Sequence, residues 1–359
     1  VDALVFDDGE VPLVQLAEWF AARCAGPLPP RVATRTRLPP DALAGPAVRE
    51  ARLRHRDRPA PDYRGLPLDL YFGIAETPNP MLRLWSERFW NKLSLAHGCY
   101  WRRCAFCDTS LDYIARFDPA DAATVERWMD DAAAQTGRRD FHFTDEAAPP
   151  ALLRELARRL AERGAPYRWW TNVRLEPTFD CDTARLLARG GCIAVTAGLE
   201  CAHDRLLEHM SKGISCSGAA AACAAFAQAG IRVHVYLIYG YPGQRFEEAI
   251  EALEFVRGLF VRGHVHSAYW HRFALTCHSS LYRRARSLGL RCWRPRGRFA
   301  RNEVPFEEPG APDWAAIGAV LHRATYNWML GVALDVPADR WFHGLRNRPC
   351  APVLGQREV

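Results

Sequence analysis

"YRWWTNVRLEPTFDCDTARLLARGGCIAVTAGLE" occupies residues 167–200. An apolar, aromatic stretch breaks at a polar loop. A short helical pattern from Cys181 ends at Gly190 and Gly191, and a second apolar run closes at Glu200. This reads as strand, helix, strand, with a connection long enough only for a crossover to a parallel neighbour.

The same rhythm extends in both directions. Upstream stand "LSLAH" (93–97), "DPADAATVERWMDDAAAQTG" (118–137), "DFHFTD" (140–145) and "PPALLRELARRLAERG" (149–164). In the second of these Asp118 is the expected N-cap, Pro119 the first helical residue and Gly137 the terminator. Downstream stand "SGAAAACAAFAQAG" (217–230), "IRVHVYLIYGYPG" (231–243), "RFEEAIEALEFVRGLF" (245–260) and "VHSAYWHRFALT" (265–276). About six units alternate. That predicts an α/β fold, a partial (β/α)6 TIM-like barrel with parallel strands, whose chemistry sits at the C-terminal strand ends.

The expected organisation has four parts. Residues 1–26 read as the tail of a preceding domain, and 27–64 as an extended, Pro- and Arg-rich linker. Residues 65–290 carry the strand–helix core. Residues 291–359 form a C-terminal extension with one main helix at "DWAAIGAVLHRATYNWMLGV". The chain opens at Val1 on the end of a strand, so an N-terminal part of the natural protein is expected to be missing. Leu13, Leu16, Ala17 and Phe20 mark the apolar face expected of the first helix.

The composition, 49% hydrophobic and 25% charged, is that of a globular protein, and no run is long enough for a membrane span. The net charge is +6, and all but Lys92 and Lys212 of the 47 basic residues are arginine. They read as spread along the chain rather than gathered in a stripe, which argues against a nucleic-acid surface. Twelve cysteines without a secretory signal point to reduced thiols and a cytoplasmic setting.

Three of those cysteines, Cys99, Cys104 and Cys107, fall within "GCYWRRCAFCDTS" (98–110), directly after the first core strand. Three readings compete: thiols packed as small apolar residues, a zinc half-site, and iron–sulfur ligation. The spacing C-x4-C-x2-C equals that of a plant-type [2Fe–2S] run. The next cysteine, Cys181, is far away, which favours a cluster with three protein ligands and one open iron.

A strand running into a three-cysteine loop with Phe106 before the last thiol resembles the radical S-adenosylmethionine (SAM) superfamily. The usual spacing there is C-x3-C-x2-C, so this loop has one extra residue. Two distant stretches carry the same resemblance: "AVTAGLECAHDRLLEHMSKGIS" (194–215) and "VYLIYGYPGQRFEEAIEAL" (235–253). "DALVFDDGEVPLVQLAEWF" (2–20) resembles the end of the Rossmann-like cobalamin-binding domain that precedes one branch of that superfamily.

The resemblance implies that Cys99, Cys104 and Cys107 hold a [4Fe–4S] cluster whose open iron takes SAM. One electron then cleaves SAM to a 5′-deoxyadenosyl radical, which removes a hydrogen atom from substrate. It implies cofactor contacts at Phe106, Asp145, Glu146, Arg174, Glu200, Lys212, Gly240 and Gly243. His271 and Arg272, on the sixth strand, are the candidates for meeting substrate. Methylation, rearrangement or ring formation on an unidentified small molecule or peptide would follow, with cobalamin possible in the intact protein. A flavodoxin- or ferredoxin-type donor would supply the electron. The competing expectations are a non-catalytic iron–sulfur carrier or redox sensor and a zinc-stapled nucleic-acid module.

Overall fold

The computed structural model describes residues 2–6, 8–37, 52–70, 90–294 and 302–345. Its chain divides into two compact units, Val1–Pro59 with Asp118–Ala120, and Ala60–Phe117 with Asp121–Val359.

The larger unit is built on six parallel strands: β1 (Asn91–Leu93), β2 (Asp140–Phe143), β3 (Arg168–Val173), β4 (Cys192–Glu200), β5 (Arg232–Tyr239) and β6 (Ser267–Arg272). Their spatial order is their chain order, with β1 and β6 at the edges. This is the expected partial barrel. The crossovers contain α1 (Ala122–Thr136), α2 (Pro150–Glu162), α3 (Cys181–Arg189), α4 (Cys216–Gln228) and α5 (Phe246–Val261).

Alternation along each strand separates two faces. Phe141, Phe143, Trp169, Val195, Val233 and Val235 are fully buried on one face. The other face carries Lys92, His142, Trp170, Asn172, Thr196, Tyr236 and His271. The register aligns Lys92 with His142, Asn172 with Thr196, and Tyr236 with Tyr269. Burying each large apolar side chain on the first face stabilises the fold by about 1.5–3 kcal/mol. The alanine-rich α4 packs closely, as its composition demands, against α3 and β5.

Two local expectations change. Helix α1 begins three residues later than its Asp-Pro signal. Its N-cap is Asp121, whose carboxylate accepts from Thr124 N–H at 2.8 Å, while Asp118 and Pro119 form a short strand. Both aspartates are competent caps, and the Asp118 carboxylate instead accepts from His55 N–H at 2.8 Å. Strand β1 stops at Leu93. The N–H groups of Leu95 and Ala96 turn to the Asp145 carboxylate, at 2.8–3.0 Å, and leave the ladder.

Beyond β6, helix α6 (Trp314–Met329) packs along that edge strand, where Trp270 Nε1 donates to Thr325 Oγ1 at 2.9 Å. Edge coverage of this kind blocks further strand pairing. Asp313 caps the helix by accepting from Ala315 and Ala316 N–H.

In the smaller unit, strand Ala3–Val5 pairs antiparallel with Val32–Thr34, and a helix spans Glu10–Ala21. A strand therefore lies within the Pro- and Arg-rich stretch read as extended. Of the expected apolar face only Leu16 is buried, beside Pro12, while Leu13 and Phe20 are 61% and 51% exposed. Three-residue strands are about 10 Å long, against about 18 Å for a twelve-residue helix, so they cover only part of its face. Residues 38–51 of the expected linker lie outside the described residues, as does the end of the C-terminal extension. Among the described residues, no helix is long and apolar enough to cross a membrane.

Candidate active site

A cavity of about 320 Å³ opens at the C-terminal ends of β2 to β4. Its walls include Cys99, Cys104, Phe106, Cys107, Asp145, Glu146, Arg174, Glu200 and Lys212. Among the described residues, no other cysteine lines it.

The cysteine loop is held from several directions. Gly98 stands at φ +76°, and a Cβ there would meet the Arg116 carbonyl oxygen at 1.9 Å. Only glycine permits that approach. Ala105 N–H donates to the Met210 carbonyl at 2.8 Å, and Leu281 N–H donates to the Ala105 carbonyl at 2.9 Å. The four residues between the first two cysteines fit because Arg102 takes φ 51° and Trp101 folds against Gly213. The Trp101 ring lies under the Arg174 guanidinium, 4.4 Å from its centroid, and its indole N–H donates to the Ser211 carbonyl at 2.9 Å.

The thiols are electrostatically prepared. Cys107 donates a hydrogen bond to Cys104 and holds that thiol near 6. Burial opposes the shift, while Lys212 and Arg174 add to it. The Cys107 thiol is pushed up, first by the same hydrogen bond and then by burial. Three sulfur donors on one wall, next to two cations, suit a cluster that needs thiolates.

Lys212 Nζ donates to Glu200 Oε1 at 2.5 Å, with both groups buried. Gly198 makes room for this pair, because a Cβ there would fall 2.0 Å from Glu200 Oε1 and 2.9 Å from Lys212 Nζ. Glu200 itself takes φ 56° beside an irregularity in the β4–β5 register, which turns its carboxylate back over the strand end. Arg174 Nε donates to Glu176 Oε1 at 2.7 Å, and its other arm reaches the Lys212 carbonyl.

The two carboxylates after β2 diverge. Asp145 is 2% exposed and committed to Leu95 and Ala96 N–H. Burial raises its carboxyl to about 7, against the pull of those hydrogen bonds. Glu146 lines the cavity on its open side with no hydrogen-bond partner among the described residues.

The remaining expected site residues lie elsewhere. Gly240 is at φ +73° and supports packing, since a Cβ would meet the Trp314 ring at 3.2 Å. Its N–H donates to Gln244 Oε1 at 2.7 Å. Gly243 N–H donates to Glu308 Oε1 at 2.9 Å. Neither glycine lines the cavity, nor do His271 and Arg272. His271 shares the inner face with Tyr236, ring centroids 5.8 Å apart, while Arg272 shares the phase of Trp270. Sequence reasoning missed Asn172, Thr196 and Tyr236, which line the cavity from three adjacent strands. The signal was there: each is a polar residue on the inward phase of an otherwise apolar strand.

Residues 93–256 match the family model of the Radical SAM superfamily. PH0819 of Pyrococcus horikoshii, described as an uncharacterized methyltransferase, is 26% identical over 212 residues, 56% of this chain and 41% of that one. The ribosomal protein uS12 methylthiotransferase RimO of Chlorobaculum parvum is 31% identical over 183 residues, 46% of this chain and 40% of that one. The chain thus spans about two fifths of the length of these curated relatives. Among solved structures, the radical SAM methyltransferase TsrM of Kitasatospora setae, with tryptophan substrate and a SAM analogue bound, aligns with a TM-score of 0.62 at 19% identity. That alignment covers 90% of this chain and 67% of that one. A structure of the same enzyme with cobalamin and a [4Fe–4S] cluster aligns with a TM-score of 0.53 at 20% identity, over 65% and 52% of the two chains. The six-strand parallel barrel and the three-cysteine loop on its rim thus stand beside a match to the Radical SAM superfamily model over residues 93–256.

Proposed function

We propose that the chain is a radical SAM enzyme whose cavity holds a [4Fe–4S] cluster on Cys99, Cys104 and Cys107 together with SAM. The observation that carries this reading is the convergence of three thiols, one unpaired carboxylate and two buried cations on one 320 Å³ cavity. A cluster bound there supplies the single electron that breaks the sulfonium C–S bond and starts hydrogen abstraction from substrate.

The chain's own residues bind, orient and shield. Glu146 offers a free carboxylate to the ammonium of SAM. Arg174 and Lys212 set a positive field beside the thiolates and the SAM carboxylate. Phe106, with Lys212 Nζ 6.0 Å from its ring centroid, forms an apolar wall that excludes water beside the loop. Asp145 acts as a positioning residue through the backbone ahead of the cysteine loop. His271, beside Tyr236 at the cavity wall, continues the inner face beyond the SAM cavity, where substrate would lie.

Methyl transfer is the reaction we favour, on the strength of the methyltransferase relatives. Cobalamin would then be the methyl carrier, and no residue of this chain is assigned to it. A flavodoxin- or ferredoxin-type protein would deliver the electron, in a cytoplasmic setting.

The test is anaerobic reconstitution with iron and sulfide, then SAM and dithionite, with 5′-deoxyadenosine measured by mass spectrometry. The expected result is product from the native chain and none from Cys104→Ala. A native chain that holds about four irons yet forms no product would move the assignment to an iron–sulfur carrier.

A further inference from the structure

The loop between Cys99 and Cys104 carries two aromatic residues, Tyr100 and Trp101, and both act on one cation. Arg174 directly follows β3, is 3% exposed and lines the cavity. Tyr100 reaches it through Glu176: the phenol and Arg174 Nε both donate to Glu176 Oε1, at 2.9 and 2.7 Å. Arg174 Nη2 donates to the Lys212 carbonyl. These two bonds hold the guanidinium along one edge and leave its remaining N–H groups for the cavity. They do not by themselves stop the plane from tilting about that edge. The Trp101 ring does, with its centroid 4.4 Å from the guanidinium carbon.

The indole is itself held in place. Three successive carbonyls follow the helix Asp204–His209, and each accepts from a residue outside that turn. Met210 takes Ala105 N–H at 2.8 Å, Ser211 takes Trp101 Nε1–H at 2.9 Å, and Lys212 takes the arm of Arg174. Indole and guanidinium are thus anchored to neighbouring carbonyls of one turn, which enforces their contact. Gly213 stands at φ +71°, and a Cβ there would fall 2.0 Å from the Trp101 ring, so glycine is what lets the indole seat. Trp101 does not line the cavity. Its reach into the site is through Arg174.

We infer that Trp101 is a positioning residue, which fixes the plane of Arg174 so that its free N–H groups meet the carboxylate of SAM. The inference rests on the reading of the cavity as the SAM site. An unsupported arginine loses rotamer freedom when a ligand arrives, and that loss is subtracted from affinity. A guanidinium already stacked on an indole has lost that freedom before SAM binds, and keeps its full charge. The fork geometry of arginine also makes the tilt of its plane matter, because a carboxylate is met by two parallel N–H groups.

The test is a double-mutant cycle on the full reconstituted chain, left oxidised so that SAM binds without being cleaved. SAM affinity is measured by equilibrium dialysis for the native chain, Trp101→Ala, Arg174→Gln and the two combined, with iron counted per chain. Trp101→Ala should keep its iron and bind SAM about tenfold more weakly, within the range for one desolvated cation–π contact. Trp101→Phe keeps a ring for Arg174 but loses the N–H to Ser211, and should fall between. In the Arg174→Gln chain the change Trp101→Ala should matter less than about twofold, because the group it positions has gone. Equal losses in both backgrounds would overturn the inference and leave Trp101 as general support for the loop. Unchanged SAM affinity in Trp101→Ala would overturn it too. So would loss of iron from both Trp101→Ala and Trp101→Phe, which would tie the ring to the cluster loop alone. If only Trp101→Ala loses iron, the cycle is read on Trp101→Phe. A native chain that holds about four irons yet binds no SAM would instead sink the reading of the cavity.

Discussion

Asp145 and Glu146 are adjacent carboxylates at the end of β2 with separate tasks. The first accepts backbone N–H groups and the second faces the open cavity. Glu146→Gln replaces a carboxylate by an amide at a site proposed to meet an ammonium. The KM for SAM is expected to rise about tenfold, a loss near 1.4 kcal/mol, with little change in melting temperature. Asp145→Ala leaves two buried N–H donors unpaired and should cost about 2–4 kcal/mol of stability. Iron content after reconstitution should fall with it, because the chain segment leading to Cys99 loses its anchor. Titrating SAM against 5′-deoxyadenosine formation, and counting iron per chain, separates the two effects. Equal KM values for Glu146→Gln and native chain would remove Glu146 from the SAM contacts. The thiols, Glu146, Arg174 and Glu200 reach the cavity from the strand ends at which the sequence puts them, and Lys212 reaches it from the end of the short helix that follows β4, within the stretch 194–215. The commitment of Asp145 was not legible in the sequence, because its partners lie 50 and 49 residues earlier and no local pattern announces them.

At the scale of elements, the turn between β5 and α5 shows how a motif is held. Glu248 is fully buried and accepts from Arg205 Nε at 2.6 Å and Nη2 at 2.7 Å, and from Arg245 N–H at 2.9 Å. Burial works to raise its carboxyl, but the hydrogen bonds from Arg205 and Arg245 outweigh it and hold the group near 2. Arg205 also donates to the Gly243 carbonyl at 2.8 Å, so one guanidinium ties the glycine turn to the first turn of the helix. Glu248→Gln should therefore cost about 1.5–3 kcal/mol, the range for hydrogen bonds to charged partners. A urea titration of native and variant chains at pH 7 measures it, and a change under 0.5 kcal/mol would show that the pair contributes little. The strand–helix alternation was readable throughout because each unit is a local pattern. Helix α1 was misplaced by three residues because Asp118 and Asp121 carry the same capping chemistry, and only the tertiary partner His55 distinguishes them. Gly240 and Gly243, read as cofactor contacts, serve the turn and the packing of α6.

Taken over the whole molecule, the charged and titratable groups are sorted by the barrel. Both lysines face the inside of the barrel, Lys92 on the inner face of β1 and Lys212 in the cavity wall. Lys92 Nζ lies 2.7 Å from His142 Nδ1, and the His142 ring stacks on Trp170 at 3.5 Å. Burial, with Lys92 beside it, holds His142 down at about 3. His234, hydrogen-bonded to Ser267 Oγ at 2.7 Å, is likewise held down at about 3 by burial and by His271. Both imidazoles are neutral in the folded chain and charge near 6.5 when it unfolds, so between pH 6.5 and 3 the unfolded state binds more protons. Stability then falls as the pH falls. Asp145 works in the opposite sense, because its raised carboxyl makes the folded state bind the extra proton between about 7 and 3.8. From these three groups alone, two protons against one contribute about 1 kcal/mol per pH unit below pH 6, destabilising towards acid. Asp145→Asn keeps an acceptor for Leu95 and Ala96 but removes the opposing proton. Its slope should exceed that of the native chain by about 1 kcal/mol per unit. Urea unfolding of the metal-free, reduced chain at pH 6.0, 5.5 and 5.0, followed by tryptophan fluorescence, reads both slopes. Equal slopes in the native and Asp145→Asn chains would mean that Asp145 stays ionised in the fold, and that its backbone hydrogen bonds outweigh its burial.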